Sequence, residues 1–290
     1  NVRIRGIGAM VIAWAVLGPG VGSVAAQRPA PDRAAGQAAY ELHCARCHGV
    51  TGKGDGRDAK RLYPRPRDLA SGVFKFRTTA SGTAPTDQDL FHTITNGLTA
   101  GGMPDWKHLV EPVRWQLVAY LKTLSTNFTD NPPQPLDFGK DPGGKRINLA
   151  TGREVYTKLG CASCHGVNGR ANGPSAATFT DNWGAPIRPA NLTQGWNFRG
   201  GSEPESIAHR VLSGIDGSPM PSYAEAATTE EIWQLAHYVR SLQETPSWTM
   251  IVRVPQISGG LPAAPDDPQW ASVLRTDVRV RNAVTPDGRM

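Results

Sequence analysis

The chain has 290 residues, a formal net charge of +6, 39% hydrophobic residues, 32 Gly, 24 Pro and four Cys. Its length allows about two or three domains, and so much Gly and Pro implies irregular backbone that a large apolar core alone would not hold; a bound cofactor would supply the rest. A mild basic excess without a clustered basic stripe excludes a nucleic-acid partner, and no segment after residue 26 is long and apolar enough to cross a membrane.

Residues 1–26 read as an export signal. Arg3 and Arg5 form a basic start, Ile7 to Leu17 an apolar run broken only by Gly8, and Val24-Ala25-Ala26 a small-residue cleavage site before Gln27. A run of about eleven residues is short of the roughly 20 that span a bilayer. Cleavage is therefore expected, giving a periplasmic or otherwise exported protein that meets a membrane only if the segment is kept. Losing Arg3 and Arg5 lowers the formal charge by two, to +4.

A first amphipathic helix is expected over about 33 to 46, carrying Tyr40 and leading into Cys44-Ala45-Arg46-Cys47-His48. Residues i, i+3 and i+4 share a helix face. Both thiols can therefore reach the vinyl groups of one porphyrin while the imidazole reaches its iron, and Cys-x-x-Cys-His is the c-type haem attachment signature. It recurs at Cys161-Ala162-Ser163-Cys164-His165. Other uses of four cysteines fit less well. Two disulfides are the default in an exported chain, but each pair here is followed at once by His. A thioredoxin-like pair needs a βαβ context that is missing. A zinc ribbon needs its pairs some tens of residues apart, whereas these lie 117 apart. Two covalently bound haem c groups follow, with Cys44, Cys47, Cys161 and Cys164 as attachment points and His48 and His165 as iron ligands.

The long loop after each motif has few periodic apolar residues and needs a haem face to pack on. Phe76-Arg77 and Phe198-Arg199 lie in these loops. Arg77 and Arg199 are candidates to bind a haem propionate bidentately; the alternative is a surface arginine. A short helix then precedes Gly101-Gly102-Met103-Pro104, and in the second half Gly217-Ser218-Pro219-Met220-Pro221. Met103 lies 55 residues after His48, and Met220 lies 55 after His165. A thioether is a soft ligand that favours ferrous iron. Methionine also fills gaps in cores, but the equal spacing marks Met103 and Met220 as the second axial ligands. His92 and His209, each 11 residues before the Met of its half, are competitors on the preceding helix. His43, His108 and His237 are unrepeated.

A closing helix is expected at about 111 to 124, with Trp115, Leu117, Val118 and Leu121 toward the core, and again at about 228 to 243. The halves match throughout, as a search for internal repeats shows. Gly36-x-x-x-Tyr40 answers Gly152-x-x-x-Tyr156, Gly52 to Gly56 answers Gly169 to Gly173, Pro66-Arg67-Asp68-Leu69 answers Pro189-Ala190-Asn191-Leu192, and Trp115 to Tyr120 answers Trp233 to Tyr238. The expected layout is a signal at 1–26, a first domain at 27–126, a Pro-rich linker at 127–144, a second domain at 145–245 and an extension at 246–290.

On the Cys-x-x-Cys-His motifs, the Met-Pro loops and the final Trp/Tyr helices, each half resembles a class I cytochrome c domain. The resemblance implies a mainly α fold of two tandem class I domains, an exposed haem edge and outer-sphere electron transfer. The extension is different. Trp248 to Val254 and Val273 to Val280 are β-prone runs around Leu261-Pro262-Ala263-Ala264-Pro265-Asp266-Asp267-Pro268-Gln269-Trp270. That stretch resembles the start of the haem b-binding domain of ethylbenzene dehydrogenase γ-type subunits, which serve periplasmic molybdenum enzymes; a tail wrapping the second domain is the plainer alternative. The Asn1 start and this interrupted pattern suggest a piece of a longer reading frame. The expected function is electron transfer between redox protein partners, a molybdenum oxidoreductase or a terminal oxidase. The rival is a dihaem enzyme acting on a sulfur compound or peroxide at an open iron.

Overall fold

A computed structural model describes residues 32–181, 184 and 186–245, and the backbone of two strands at 248–253 and 277–282. The export signal expected at 1–26 and the Pro/Asp stretch of the extension lie outside the described residues.

The fold is mainly α, with the same order of elements twice. In the first half Asp32 caps α1, Arg33–His43, by accepting from the Ala35 N–H. α1 ends at its C-cap Cys44, whose φ widens to −114° within the right-handed region, so the continuous helix expected to 46 is two pieces, the second being the single turn α2, Ala45–His48. α3, Asp87–Asn96, opens with a Thr86/Asp89 capping box. α4, Glu111–Leu121, starts with a proline in its first turn, where no N–H is missed, and runs into a 3-10 turn at Lys122–Leu124. A short α5, Asn127–Asp130, follows. In the second half α6, Leu149–Lys158, and α7, Ala162–His165, answer α1 and α2. α8, Pro204–Ser213, and α9, Thr229–Ser241, answer α3 and α4.

Each core forms where the first helix of a half crosses its last, α1 on α4 and α6 on α9. Gly36 and Gly152 sit at these crossings: a Cβ on either would overlap the carbonyl oxygen of Gln116 or Gln234. One turn on, the buried Tyr40 and Tyr156 rings meet Tyr120 and Tyr238 at 5.2 and 5.6 Å. The Gly-x-x-x-Tyr repeat is thus a close helix crossing with an aromatic clamp. Leu90, Ile94, Leu117, Val118 and Leu121 fill the first core, each contributing roughly 1.5–3 kcal/mol if fully buried. Trp115 packs against this core, half-buried and stacked on Phe91 at 4.0 Å, whereas Trp233 is 4% exposed within the second core.

The Pro-rich segment between the halves is packed against both of them. Its residues 131–136 run beside the loop at 78–84, with the Ala84 N–H donating to Asn131 O at 2.9 Å, the Ala80 N–H to Gln134 O at 2.8 Å and the Leu136 N–H to Thr78 O at 3.0 Å. Phe138 then reaches the second half, where its carbonyl accepts from Trp233 Nε1 at 2.7 Å and its ring lies 4.1 Å from His209. In the extension β1, Trp248–Arg253, pairs antiparallel with β2, Asp277–Asn282. Among the described residues no helix is long and apolar enough to cross a membrane.

Candidate haem-binding sites

Each motif closes a single helical turn. The Cys44 carbonyl accepts from the N–H groups of Cys47 at 3.1 Å and His48 at 2.9 Å, and the Cys161 carbonyl from Cys164 at 3.3 Å and His165 at 2.9 Å. The four thiols are unpaired. Burial pushes Cys44 up to about 12 and Cys161 up to about 11, the opposite of the low-pKa thiolate of a thiol–disulfide exchange site. The two pairs are not brought together: among the described residues no three His, Cys, Asp or Glu side chains are grouped to hold a bare metal ion.

Both histidines are held the same way. His48 Nδ1 lies 2.9 Å from the Arg67 carbonyl oxygen, and His165 Nδ1 lies 2.9 Å from that of Ala190. A carbonyl can only accept, so Nδ1 carries the proton and Nε2 keeps its lone pair, the state an iron ligand needs. Burial pushes both imidazoles below their usual range, which favours that neutral form. The surrounding repeat supports this pose. Gly49 and Gly166, both at φ +79°, turn the chain after each histidine, and their carbonyls accept from the Tyr40 and Tyr156 hydroxyls at 2.7 Å. The Leu69 and Leu192 N–H groups donate to Gly52 O and Gly169 O at 2.6 Å, bringing back the segments that supply the Arg67 and Ala190 carbonyls.

In the second half a cavity of about 420 Å³ is lined by Cys161, Cys164, His165 and Met220. Its wall is otherwise largely apolar and includes Phe179, Ile207 and Val211. Four cations also line it, Lys75, Arg188, Arg199 and Arg210, while no Asp or Glu does among the described lining residues. Buried Arg210 Nε has no hydrogen-bond partner. Burial pushes Lys75 down to about 8, with repulsion from Arg67 and Arg199 adding to it. A flat apolar ligand with two carboxylates suits this wall, since buried cations need acceptors. The residues present therefore fit haem c.

Met103 and Met220 occupy matching turns. Leu98 and Met103 exchange backbone hydrogen bonds of 2.9 and 3.3 Å, and the Ile215 N–H donates to Met220 O at 3.0 Å. Met220 lines the cavity beside His165, and Met103 is half-buried. The competing histidines are engaged or exposed. His92 is exposed, His209 packs on Phe138, His43 and His108 flank Trp106 at 5.3 and 5.4 Å, and His237 lies 2.9 Å from Asp141.

The two arginines take different places. Arg199 lines the cavity, as a propionate partner would. Arg77 is 0% exposed, and its guanidinium meets the Ser213 carbonyl and the Asp216 carboxylate at the seam between the halves. Sequence reasoning missed Lys75 and Arg210. Lys75 comes from the first half to line the second cavity, and no periodicity or spacing marks such a residue. It also missed that the partners of His48 and His165 are carbonyls. The Pro66/Pro189 repeat pointed to those segments, but differing side chains there hid a shared backbone role.

Comparison with known proteins agrees with this geometry. Residues 149–243 match the family model described as Cytochrome c, and residues 31–121 that described as Cytochrome C oxidase, cbb3-type, subunit III. The Cbb3-type cytochrome c oxidase subunit FixP of Sinorhizobium medicae (strain WSM419) is 31% identical over 119 residues, 39% of this chain and 36% of that protein. FixP of Rhizobium meliloti (strain 1021) is 30% identical over 120 residues, again 39% and 36%. The chain thus spans little more than a third of the curated relatives it matches. A chain in the solved Kuenenia stuttgartiensis reducing HAO-like protein complex is 40% identical, with a TM-score of 0.67, and the match covers 72% of this chain and 96% of that one.

Proposed function

Since the chain belongs to the cytochrome c family, with one cytochrome c domain in each half, we propose that it is an exported, periplasmic dihaem carrier that passes electrons within a larger redox complex. The observation that carries this reading is the second cavity, where His165, with Nε2 free, and Met220 line one space beside Cys161 and Cys164.

Bound haem supplies a one-electron ferric/ferrous couple. The protein does the rest. Cys44 with Cys47, and Cys161 with Cys164, would hold the two porphyrins covalently. His48 with Met103, and His165 with Met220, would supply the protein donors to the two irons and so leave them closed to a substrate. The thioether sulfurs favour the ferrous state. Arg199, with Lys75 and Arg210, neutralises propionates at the second site. Arg77 serves the domain seam.

The partner is an oxidoreductase or oxidase complex, a role supported by the FixP subunits and by the HAO-like complex that the chain resembles. The β1–β2 hairpin is compatible with a β-type module beginning in the extension, and through it with a molybdenum oxidoreductase.

Optical and EPR spectra of the resting ferric protein test the carrier reading. Two low-spin centres, each with the far-red sulfur-to-iron band and neither changing on mixing with cyanide, or with carbon monoxide after reduction, are the expected result. High-spin iron at either centre contradicts it and favours an enzyme with an open iron.

A further inference from the structure

Phe76-Arg77 and Phe198-Arg199 are repeat equivalents, yet each arginine faces the other half. A Cβ added to Gly101, in the Met103 turn, would lie 3.2 Å from Arg199 Cδ. Arg77 Nη2 lies 2.8 Å from the Ser213 carbonyl and 2.8 Å from Asp216 Oδ1, immediately before the Met220 turn and within it. The first half holds Asp216 at two more points: the Ser81 hydroxyl donates to Oδ1 at 2.7 Å, and the Gly82 N–H to Oδ2 at 2.9 Å. Arg210 Nη2 in turn donates to the Arg77 carbonyl at 3.0 Å.

Asp216 is part of the Met220 turn itself. That turn is closed by the Ile215 N–H on Met220 O, and braced by the Ser218 hydroxyl on Ile215 O at 2.7 Å. Gly214, at φ +70°, packs so closely on Pro221 and Ser222 that a Cβ there would meet their backbone. A turn bonded to itself this tightly moves as a unit. Fixing Asp216 from outside therefore restrains the backbone from which the Met220 side chain projects. All of these bonds to Asp216 are charge-assisted, and the one from Arg77 comes from a guanidinium wholly shielded from water, the setting in which such bonds are strongest, whereas Ser81 and Gly82 lie at exposed positions. The equivalent position in the first half is Thr99, which offers Arg199 no carboxylate.

We propose that Arg77, with Ser81 and Gly82 of the first domain, is a positioning clasp for the Met220 turn of the second, so that docking of the domains sets how firmly the second iron keeps its sulfur ligand. Among the described residues the clasp has no counterpart at Met103, so only the second centre should depend on it. This rests on Met220 being the axial ligand.

The test uses the full-length holoprotein. Fresh ferric protein should be closed and should take up cyanide only slowly, at a rate set by departure of the sulfur. Met220→Ala identifies the second-centre phase, because that phase becomes fast and half the far-red band is lost. In Asp216→Asn the second-centre phase should quicken about tenfold, as expected for loss of one charge-assisted contact, with the first-centre phase unchanged. Asp216→Glu should restore most of the native rate. Arg77→Gln should act like Asp216→Asn. If it fails to fold, Ser81→Ala reads the same contact from a more exposed side chain. Native second-centre rates in Asp216→Asn and Ser81→Ala, or equal quickening of both phases, would overturn the clasp. An unchanged far-red band in Met220→Ala would instead overturn the ligand assignment on which it rests.

Discussion

His165 Nδ1 and the Ala190 carbonyl oxygen are 2.9 Å apart, and this one bond fixes the ring, its tautomer and the direction of Nε2. The same relation joins His48 to Arg67. His165→Ala should therefore remove half the low-spin ferric EPR signal and leave the half that belongs to His48. The lost centre should stay attached through Cys161 and Cys164, so the intact mass should fall only by the side-chain difference. An undiminished low-spin signal would count against His165 as a ligand.

The four cations around the second cavity should set its potential. Removing a nearby positive charge favours the ferric state. Arg199→Gln should lower the midpoint of the second centre by about tens of millivolts, the scale set by 59 mV per tenfold change for one electron. Lys75→Gln should shift the same centre in the same direction, although Lys75 belongs to the first domain. Spectroelectrochemistry of the two variants, with the first-centre midpoint as internal reference, checks this.

Much of this was legible in the sequence, and what was not has a common cause. The motifs, the Met spacing and the Gly-x-x-x-Tyr repeat are local patterns, and each maps onto a local device: a helical turn, a closed loop, a helix crossing. The Arg67 and Ala190 carbonyls were hidden because a backbone atom leaves no mark in side-chain identity. Lys75, Arg210 and the partners of Arg77 were hidden because they depend on how the two halves dock. Trp115 and Trp233 align in the repeat, yet Trp233 is the more deeply buried, with its indole N–H bonded to the Phe138 carbonyl of the connecting segment.

The helix crossings should tolerate no side chain. Gly36→Ala and Gly152→Ala each gain about 1 kcal/mol of helix propensity, but they force a methyl group into a backbone carbonyl that cannot rotate away. Overpacking of this kind costs about 1–3 kcal/mol, so both variants should melt at lower temperature. A rise in melting temperature would show that the helices can separate at little cost.

Thr228 and Glu231 cap α9 reciprocally. Thr228→Ala should cost about 1 kcal/mol in chemical denaturation. Glu231 is held below the usual carboxylate value of 4.5, first by its hydrogen bond from Lys158 and then by the Thr228 N–H. Its folded pKa lies below its unfolded one. The contribution is therefore complete above pH 4.5 and is lost as pH falls through the lowered folded value. Glu231→Gln should flatten the acid side of the stability profile slightly. An unchanged profile would mean that the exposed pair is fully screened.

The intact mass of denatured, acid-acetone-treated protein tests the central claim most directly. The account predicts the polypeptide plus two haems that do not extract, falling to one in Cys44→Ala/Cys47→Ala and to one in Cys161→Ala/Cys164→Ala. A native protein carrying one haem or none after extraction would contradict it.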